Sequence, residues 1–182
     1  MLLYIIIAII ALIIIYVLVQ YNSFVKLNNM VKEAFATMDV YLKKRWDLIP
    51  NLVEVVKGYA EHESSVIEKV VKLRNLSYDK MSVTDKIDTN QQLATGLSNI
   101  MAIAENYPNL KASQNFSDLS NQLSKIEDEI ANSRKYYNAI VRNLNTKIEM
   151  FPSNIIAKIF NFKIAKMFEA DTNEKDNVKV EI

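Results

Sequence analysis

Apolar and polar positions divide this chain into a continuous apolar start and a long remainder with helical periodicity. From Leu2 to Val19 there is no charged residue, Pro, Gly, Asn or Gln. As a helix, this run would be about 27 Å long, close to the ~30 Å hydrocarbon core of a bilayer. No Lys or Arg precedes it, and Val17–Gln20 is a poor cleavage site, so a signal peptide is disfavoured. We predict a retained transmembrane anchor at residues 1–20.

The pattern after the anchor predicts a series of amphipathic helices. Apolar residues recur in steps of three and four from Phe24 to Leu42 and again from Leu52 to Leu76. Pro50 lies between these runs, and we favour a kink or tight break there, because proline cannot donate its N–H. The sequence places Gly58 inside the second helix, where we expect it to admit the close approach of a neighbouring helix.

Two further helices are predicted, over 85–106 and from Phe116 to Ile148. The first ends before Pro108, because the residue preceding a proline avoids the helical region. The last carries a heptad seam typical of a coiled coil and stops before Phe151 and Pro152. Because such seams must face partner helices, we predict an all-α fold, an N-terminal transmembrane helix followed by an antiparallel up-and-down bundle over residues 21–170. The polar residues 171–182 are predicted to be a disordered tail.

Composition agrees with this class and excludes several kinds of site. The chain has 2 Gly and 3 Pro, too few for the many turns of a sheet protein. Its net charge of +1 gives no general drive toward nucleic acid. Cys is absent, and so are the glycine loops of nucleotide-binding folds. We therefore expect no catalytic, cofactor-binding or metal-binding residues, and no enzyme.

Two sequence features are candidates for chemistry, and each also has a structural interpretation. His62 is the only histidine, and Val66 stands where a zinc hydrolase would need a second one, so we interpret His62 as a surface residue. The carboxylates of Glu127, Asp128 and Glu129 lack the Glu-x-x-His partners of di-iron bundles. We interpret these three as a solvated helix face.

Three surfaces were considered as binding sites. The basic run Lys43–Trp46 could contact lipid headgroups or nucleic acid, but we favour a solvated or salt-bridged helix face. The segment Tyr136–Asn138 could offer contact points to partners, although ordinary helix packing is favoured. Residues 153–170 combine apolar residues with Lys158, Lys163 and Lys166, as in a membrane-surface helix. Because Lys163 falls inside the apolar arc, we favour packing on the end of the bundle over membrane contact.

The chain resembles the LemA family of bacterial membrane proteins. The resemblance rests on Met38–Val53, Val56–Glu63, Ala104–Ala112 and Phe151–Asn154, with scattered matches between Ile126 and Asn138. It extends over about residues 1–170 and implies one N-terminal span, a helical bundle inside the cell and no assigned activity. The chain departs from the family pattern at Tyr41, where Gln is usual. Lys158 and Asn161 stand in a stretch where a Gly is usual.

These features together predict a membrane-anchored, non-enzymatic adaptor or scaffold, with a self-assembling structural protein of the membrane or envelope as the alternative. Lys26 and Lys32 follow the span closely, so we expect the N-terminus outside and the bundle in the cytoplasm of a bacterial cell. Protein partners at the membrane are expected, as is possible homo-oligomerisation. Nucleic acid is not expected as a partner.

Overall fold

A computed structural model describes residues 1–60 and 63–168 of the chain. These residues form helices and connecting segments, without a strand in the described ranges. The α-helices are α1 (Leu2–Lys57), α2 (Ser64–Arg74), α3 (Val83–Asn106), α4 (Pro108–Lys111), α5 (Gln114–Glu149) and α6 (Ser153–Ile159), and a 3-10 helix covers Tyr78–Lys80. The predicted all-α class, with a long apolar helix at the start, is confirmed. The predicted tail, residues 171–182, lies outside the described residues.

Helix α1 continues through Pro50 to Lys57, so the predicted tight break at Pro50 is wrong. Pro50 lies on the exposed side of the helix, whereas Trp46, Ile49 and Val53 are buried. The apolar stripe thus continues past the proline in one register. Burial of that stripe keeps the chain helical where the local preference would end it. The chain leaves α1 at Gly58 instead, and the predicted second helix is shortened to α2.

The close helix approach expected at Gly58 is found at Gly96. A Cβ atom at Gly58 would meet only carbonyl oxygens of α1, at 3.5 Å and beyond, so the predicted role of Gly58 is wrong. A Cβ atom at Gly96 in α3 would lie 2.7 Å from Cγ2 of Val70 in α2. Gly96 is therefore the residue that allows α2 and α3 to pack closely.

The chain divides into two compact units, each of which draws on both α1 and α5. Unit 1 comprises Met1–Met38 and Ser133–Met167. Unit 2 comprises Asp39–Asn132 and Phe168–Ile182, of which only Phe168 is described in the second range.

Within unit 2 the helices alternate in direction. Helices α1 and α3 are parallel, because Asp39 pairs with Lys86 and Arg45 with Asn90. Helix α5 runs against them: Arg45 meets Glu127, while residues further along α1 share a small cavity with Leu119 and Leu123. Helix α2 is antiparallel to α1 and α3, because Val70 lies beside Gly96 of α3 and Arg74 lies over the ring of Trp46 of α1. This is the up-and-down order that the apolar seams predicted.

Unit 1 pairs the first part of α1 with the last part of α5 in antiparallel fashion. Ser23 contacts Lys147, and the ring of Phe35 meets that of Tyr137 edge-on at 5.8 Å. A cis Phe151–Pro152 peptide bond precedes α6, which packs in the same unit.

Helix α6 ends in a Schellman motif centred on Asn161. Asn161 has φ 57°, in the left-handed region that Asn tolerates better than most residues. The amides of Asn161 and Phe162 donate to the carbonyls of Lys158 and Ala157. This turn directs the ring of Phe162 onto Phe24 of α1, with centroids 4.9 Å apart. Asn161 thus performs the structural task that a glycine commonly performs at this position.

Candidate functional site

The basic run Lys43–Trp46 is not a surface patch. Arg45 is only 2% exposed, and its Nη1 donates to both carboxylate oxygens of Glu127, at 2.9 and 3.0 Å. Its Nη2 donates to the backbone carbonyl and Oδ1 of Asn90. Lys43 forms a surface ion pair with Asp47, and Trp46 is buried. The salt-bridged interpretation is therefore confirmed, with Arg45 as an internal structural cation.

The carboxylate cluster on α5 does not act as one surface. Asp128 and Glu129 are exposed, as predicted for a solvated face. Glu127 turns toward the helix interface and balances the charge of Arg45, while 39% of its side chain stays exposed, so it lies at the edge of the predicted solvated face. Both carboxylate oxygens of Glu127 accept from one guanidinium nitrogen, and this charge-assisted contact ties the register of α5 to that of α1.

A second internal polar cluster joins Asp39, Tyr78 and Lys86. The hydroxyl of Tyr78 donates to Oδ1 of Asp39 at 2.6 Å, and Nζ of Lys86 donates to Oδ2 at 2.7 Å. Nζ of Lys86 also lies 4.5 Å from the centroid of the Tyr78 ring. Burial, reinforced by the hydrogen bond to Asp39, raises the pKa of Tyr78 above its ordinary value. Sequence reasoning missed this cluster because its members come from three separate segments, and no motif links them.

The aromatic pair on α5 separates into a core residue and a surface residue. Tyr137 is buried, and its hydroxyl donates to the backbone carbonyl of Lys166 at 2.9 Å. Burial also raises the pKa of Tyr137. A partner-contact role is therefore wrong for Tyr137. Tyr136 is 56% exposed and stays a candidate contact point.

No group of three or more potential metal ligands occurs among the residues that the structure describes. His62 lies outside those residues, so its predicted surface position is not tested. The three cations of the two internal clusters and the neighbouring ion pair face carboxylates: Lys43 faces Asp47, Arg45 faces Glu127 and Lys86 faces Asp39.

The exposed apolar residues are concentrated at one end of unit 1. The first part of α1 is long and apolar enough to cross a membrane, with a mean hydropathy of 3.4, and none of that stretch is buried by protein. Beside its last turns lies an open cleft of about 460 Å³ between α1 and the end of α5. Its walls combine polar and apolar side chains: Tyr16, Gln20, Arg142, Asn143, Thr146, Lys147, Met150, Phe151, Pro152 and Ser153.

Lys147 stands at the inner side of this cleft. Its Nζ donates to the hydroxyl of Ser23 and lies 5.2 Å from the centroid of the Phe24 ring. Partial burial lowers the pKa of Lys147. The Oε1 atom of Gln20 is buried without a hydrogen-bond partner among the described residues. The cleft thus offers cations and polar groups directly beside an apolar, uncovered helix surface.

The segment after α5 is held firmly against unit 1. The side-chain amide of Asn145 donates to the carbonyl of Ala165 and its oxygen accepts from the Ala165 amide, at 2.9 and 2.8 Å. The rings of Phe160 and Phe162 lie 4.8 and 5.9 Å from that of Tyr21. Residues 153–167 thus pack against α1 and α5, as the favoured prediction for residues 153–170 expects, and membrane contact by their exposed side stays a prediction.

Comparison with known proteins places these features in a family. A model of the LemA family matches residues 34–182. Protein LemA of Metamycoplasma hominis is 26% identical over 161 residues, which cover 86% of this chain and 72% of the relative.

Two magnetosome proteins are also similar to the chain. MamQ 2 of Paramagnetospirillum magneticum and MamQ of Magnetospirillum gryphiswaldense are each 24% identical to it, over 178 and 177 residues. The alignments cover 84% and 83% of this chain but 65% of each MamQ protein, slightly less than two thirds of their length. Since the family model matches well over half of the chain, the resemblance expected from the sequence is confirmed, and the protein belongs to the LemA family.

Proposed function

We propose that this protein is a membrane-anchored, non-enzymatic adaptor or scaffold whose helical units are held at a membrane. The observation that carries the proposal is the first part of α1, an apolar helix surface that no other part of the described protein covers. Exposing so many large apolar side chains to water would be costly, at about 25 cal/mol per Å². A lipid environment removes that cost.

The internal polar clusters support a structural rather than a catalytic use of the charged residues. Arg45 is hydrogen-bonded to Glu127 and Asn90 between helices, and Asp39 is hydrogen-bonded to Tyr78 and Lys86. Charged groups paired between helices in this way help to fix helix register. The adaptor role then depends on position: an anchor confines the helical units to two dimensions and raises their effective concentration near membrane partners.

We also propose that the N-terminus lies outside a bacterial cell and the helical units lie in the cytoplasm. Lys26 and Lys32 follow the span in sequence, and unit 1 adds Lys158, Lys163 and Lys166 from the far end of the chain. A cationic flank favours the cytoplasmic side.

Site-specific photocrosslinking in cells tests the adaptor role. A photoreactive phenylalanine at exposed Tyr136 should give a discrete adduct with a different protein. Deleting residues 2–19 should abolish the adduct, and replacing them by an unrelated single span should restore it, because the anchor acts through position. Adducts only between copies of the chain would favour the self-assembling alternative, and recovery of monomer alone would contradict the proposal.

A further inference from the structure

The segment from Met150 to Lys166 reaches the level at which the apolar part of α1 ends. Met150 and Phe151 share the cleft with Tyr16 and Gln20, so they lie beside the last turns of the apolar run. Further along the segment, the ring of Phe160 packs on Tyr21. Because a helix rises ~1.5 Å per residue, Tyr16 and Tyr21 are separated by only about 7.5 Å along α1. The segment therefore lies beside the point where the anchor would leave the hydrocarbon core.

The same segment exposes large apolar side chains although its backbone is firmly docked. Phe151 is 78% exposed and Ile159 is 67% exposed. The full set of exposed large apolar residues here is Met150, Phe151, Ile155, Ile159, Phe160 and Ile164. Asn145 and Tyr137 hold residues 165 and 166 by hydrogen bonds, so the backbone cannot simply turn these side chains inward. A fixed, exposed apolar patch of this kind marks an interaction surface.

Charge in this segment favours a lipid surface as the occupant. Between Met150 and Met167 there are three lysines, all exposed, and no Asp or Glu, although Glu149 directly precedes the segment. Arg142 and Lys147 line the adjoining cleft. Lysines next to exposed apolar side chains match the headgroup layer of an anionic leaflet, where the stems contact acyl chains and the ammonium groups contact phosphates.

We propose that Met150–Lys166 forms a membrane-seated collar around the base of the anchor, with its apolar side chains inserted into the interfacial layer of the leaflet that α1 leaves. The occupant of the exposed patch is thus the membrane itself, continuous with the lipid around α1. This proposal rests on the membrane anchoring proposed above. The protein then contacts the bilayer at two places far apart in sequence, and the second contact restrains the tilt of unit 1 at the membrane surface.

Nitroxide labelling measures the depth of the collar directly, because the native chain has no cysteine. Single cysteines replace Phe151, Ile159 or Ile164 in the full chain, reconstituted in vesicles of phosphatidylcholine and phosphatidylglycerol. The control Ile10→Cys reports the anchor, and Tyr136→Cys reports an exposed position on α5 beside Tyr137, which meets Phe35 of α1 further from the anchor than the cleft does. All five positions are exposed, so the substitutions should leave helix content by circular dichroism unchanged.

The expected result is a graded set of depths. The ratio of oxygen accessibility to accessibility for a water-soluble nickel chelate should be highest at position 10. It should be intermediate at the collar positions and lowest at position 136. Collar labels as water-exposed as position 136, with position 10 embedded, would overturn the collar alone. A water-exposed label at position 10 would overturn the anchoring as well. Dipolar broadening between collar labels, lost on dilution with unlabelled chains, would assign the patch to a second copy and also overturn the proposal.

Discussion

At the residue scale, burial decides what a charged side chain does in this protein. Arg45 belongs to a run of three cations, yet its neighbours Lys43 and Lys44 face outward while Arg45 points between helices. Glu127 and Asn90 accept hydrogen bonds from the two terminal nitrogens of the guanidinium, while its buried Nε has no hydrogen-bond partner among the described residues. Removing one partner leaves a buried charge without compensation, which costs more than the net contribution of the pair.

Glu127→Ala should lower the free energy of unfolding by about 2–3 kcal/mol. Complete burial of both partners would give a larger loss, but Glu127 is part-exposed and water can reach the site. Urea titration in detergent, followed by the fluorescence of Trp46, the single tryptophan, measures the change. The control Asp128→Ala, at an exposed neighbour, should stay within about 0.5 kcal/mol of the native protein. Equal losses in the two variants would contradict the structural role of Glu127.

Tyr78 should make the stability of the protein fall at alkaline pH. Its pKa is raised in the folded state by burial and by Asp39, whereas tyrosines of an unfolded chain have a pKa of about 10. The stabilisation is complete below pH ~10 and is lost as the pH rises from there toward the folded-state pKa. In urea titrations at increasing pH, the free energy of unfolding should fall less steeply for Tyr78→Phe than for the native protein. Tyr137 should contribute to the pH dependence that remains in this variant. An unchanged slope in this variant, compared with the exposed control Tyr59→Phe, would count against the account.

At the element scale, apolar periodicity predicts which segments are helical better than it predicts where they end. The extents of α3 and α5 follow from Pro108, from the capping box between Ser82 and Asp85, and from the long seam of α5. The end of α1 could not be derived in the same way. Proline at position 50 is a strong local signal, but burial of Trp46, Ile49 and Val53 outweighs it, and burial depends on helices distant in sequence.

The roles of the two glycines also could not be predicted from the sequence. Their roles depend on what lies opposite, and only the packed structure shows that Val70 faces Gly96 while nothing from another helix faces Gly58. The internal partners of Arg45 and Asp39 could not be predicted for the same reason. The apolar and basic residues of the collar could be recognised in the sequence. Their position beside Tyr21 could not be predicted from it.

Gly96→Ala should destabilise the protein by about 1–3 kcal/mol, because the new methyl group would lie 2.7 Å from a stiff, fully buried valine side chain. Gly58→Ala is the matched control, and it should be neutral or slightly stabilising, because its methyl group meets only ordinary contacts. Thermal unfolding monitored by circular dichroism compares the two. Together, Gly96→Ala and Val70→Ala should cost less than the sum of their separate effects, because the shorter side chain at position 70 makes room for the new methyl group. Strict additivity would show that helix contact at Gly96 is not the cause.

At the scale of the whole molecule, apolar and charged side chains are distributed asymmetrically. The apolar surface that a water-soluble protein would bury inside is instead placed along the start of α1, while the charged residues of the two clusters in unit 2 are paired inside the protein. The LemA model matches residues 34–182, so the family assignment rests on the residues that follow the apolar run.

Alkaline extraction of cell membranes, combined with the intact mass of the extracted chain, tests whether the N-terminal helix holds the protein in the membrane. The protein should stay in the membrane pellet at high pH, and its mass should include residues 1–20. Release into the supernatant, or a mature chain lacking those residues, would contradict this anchoring.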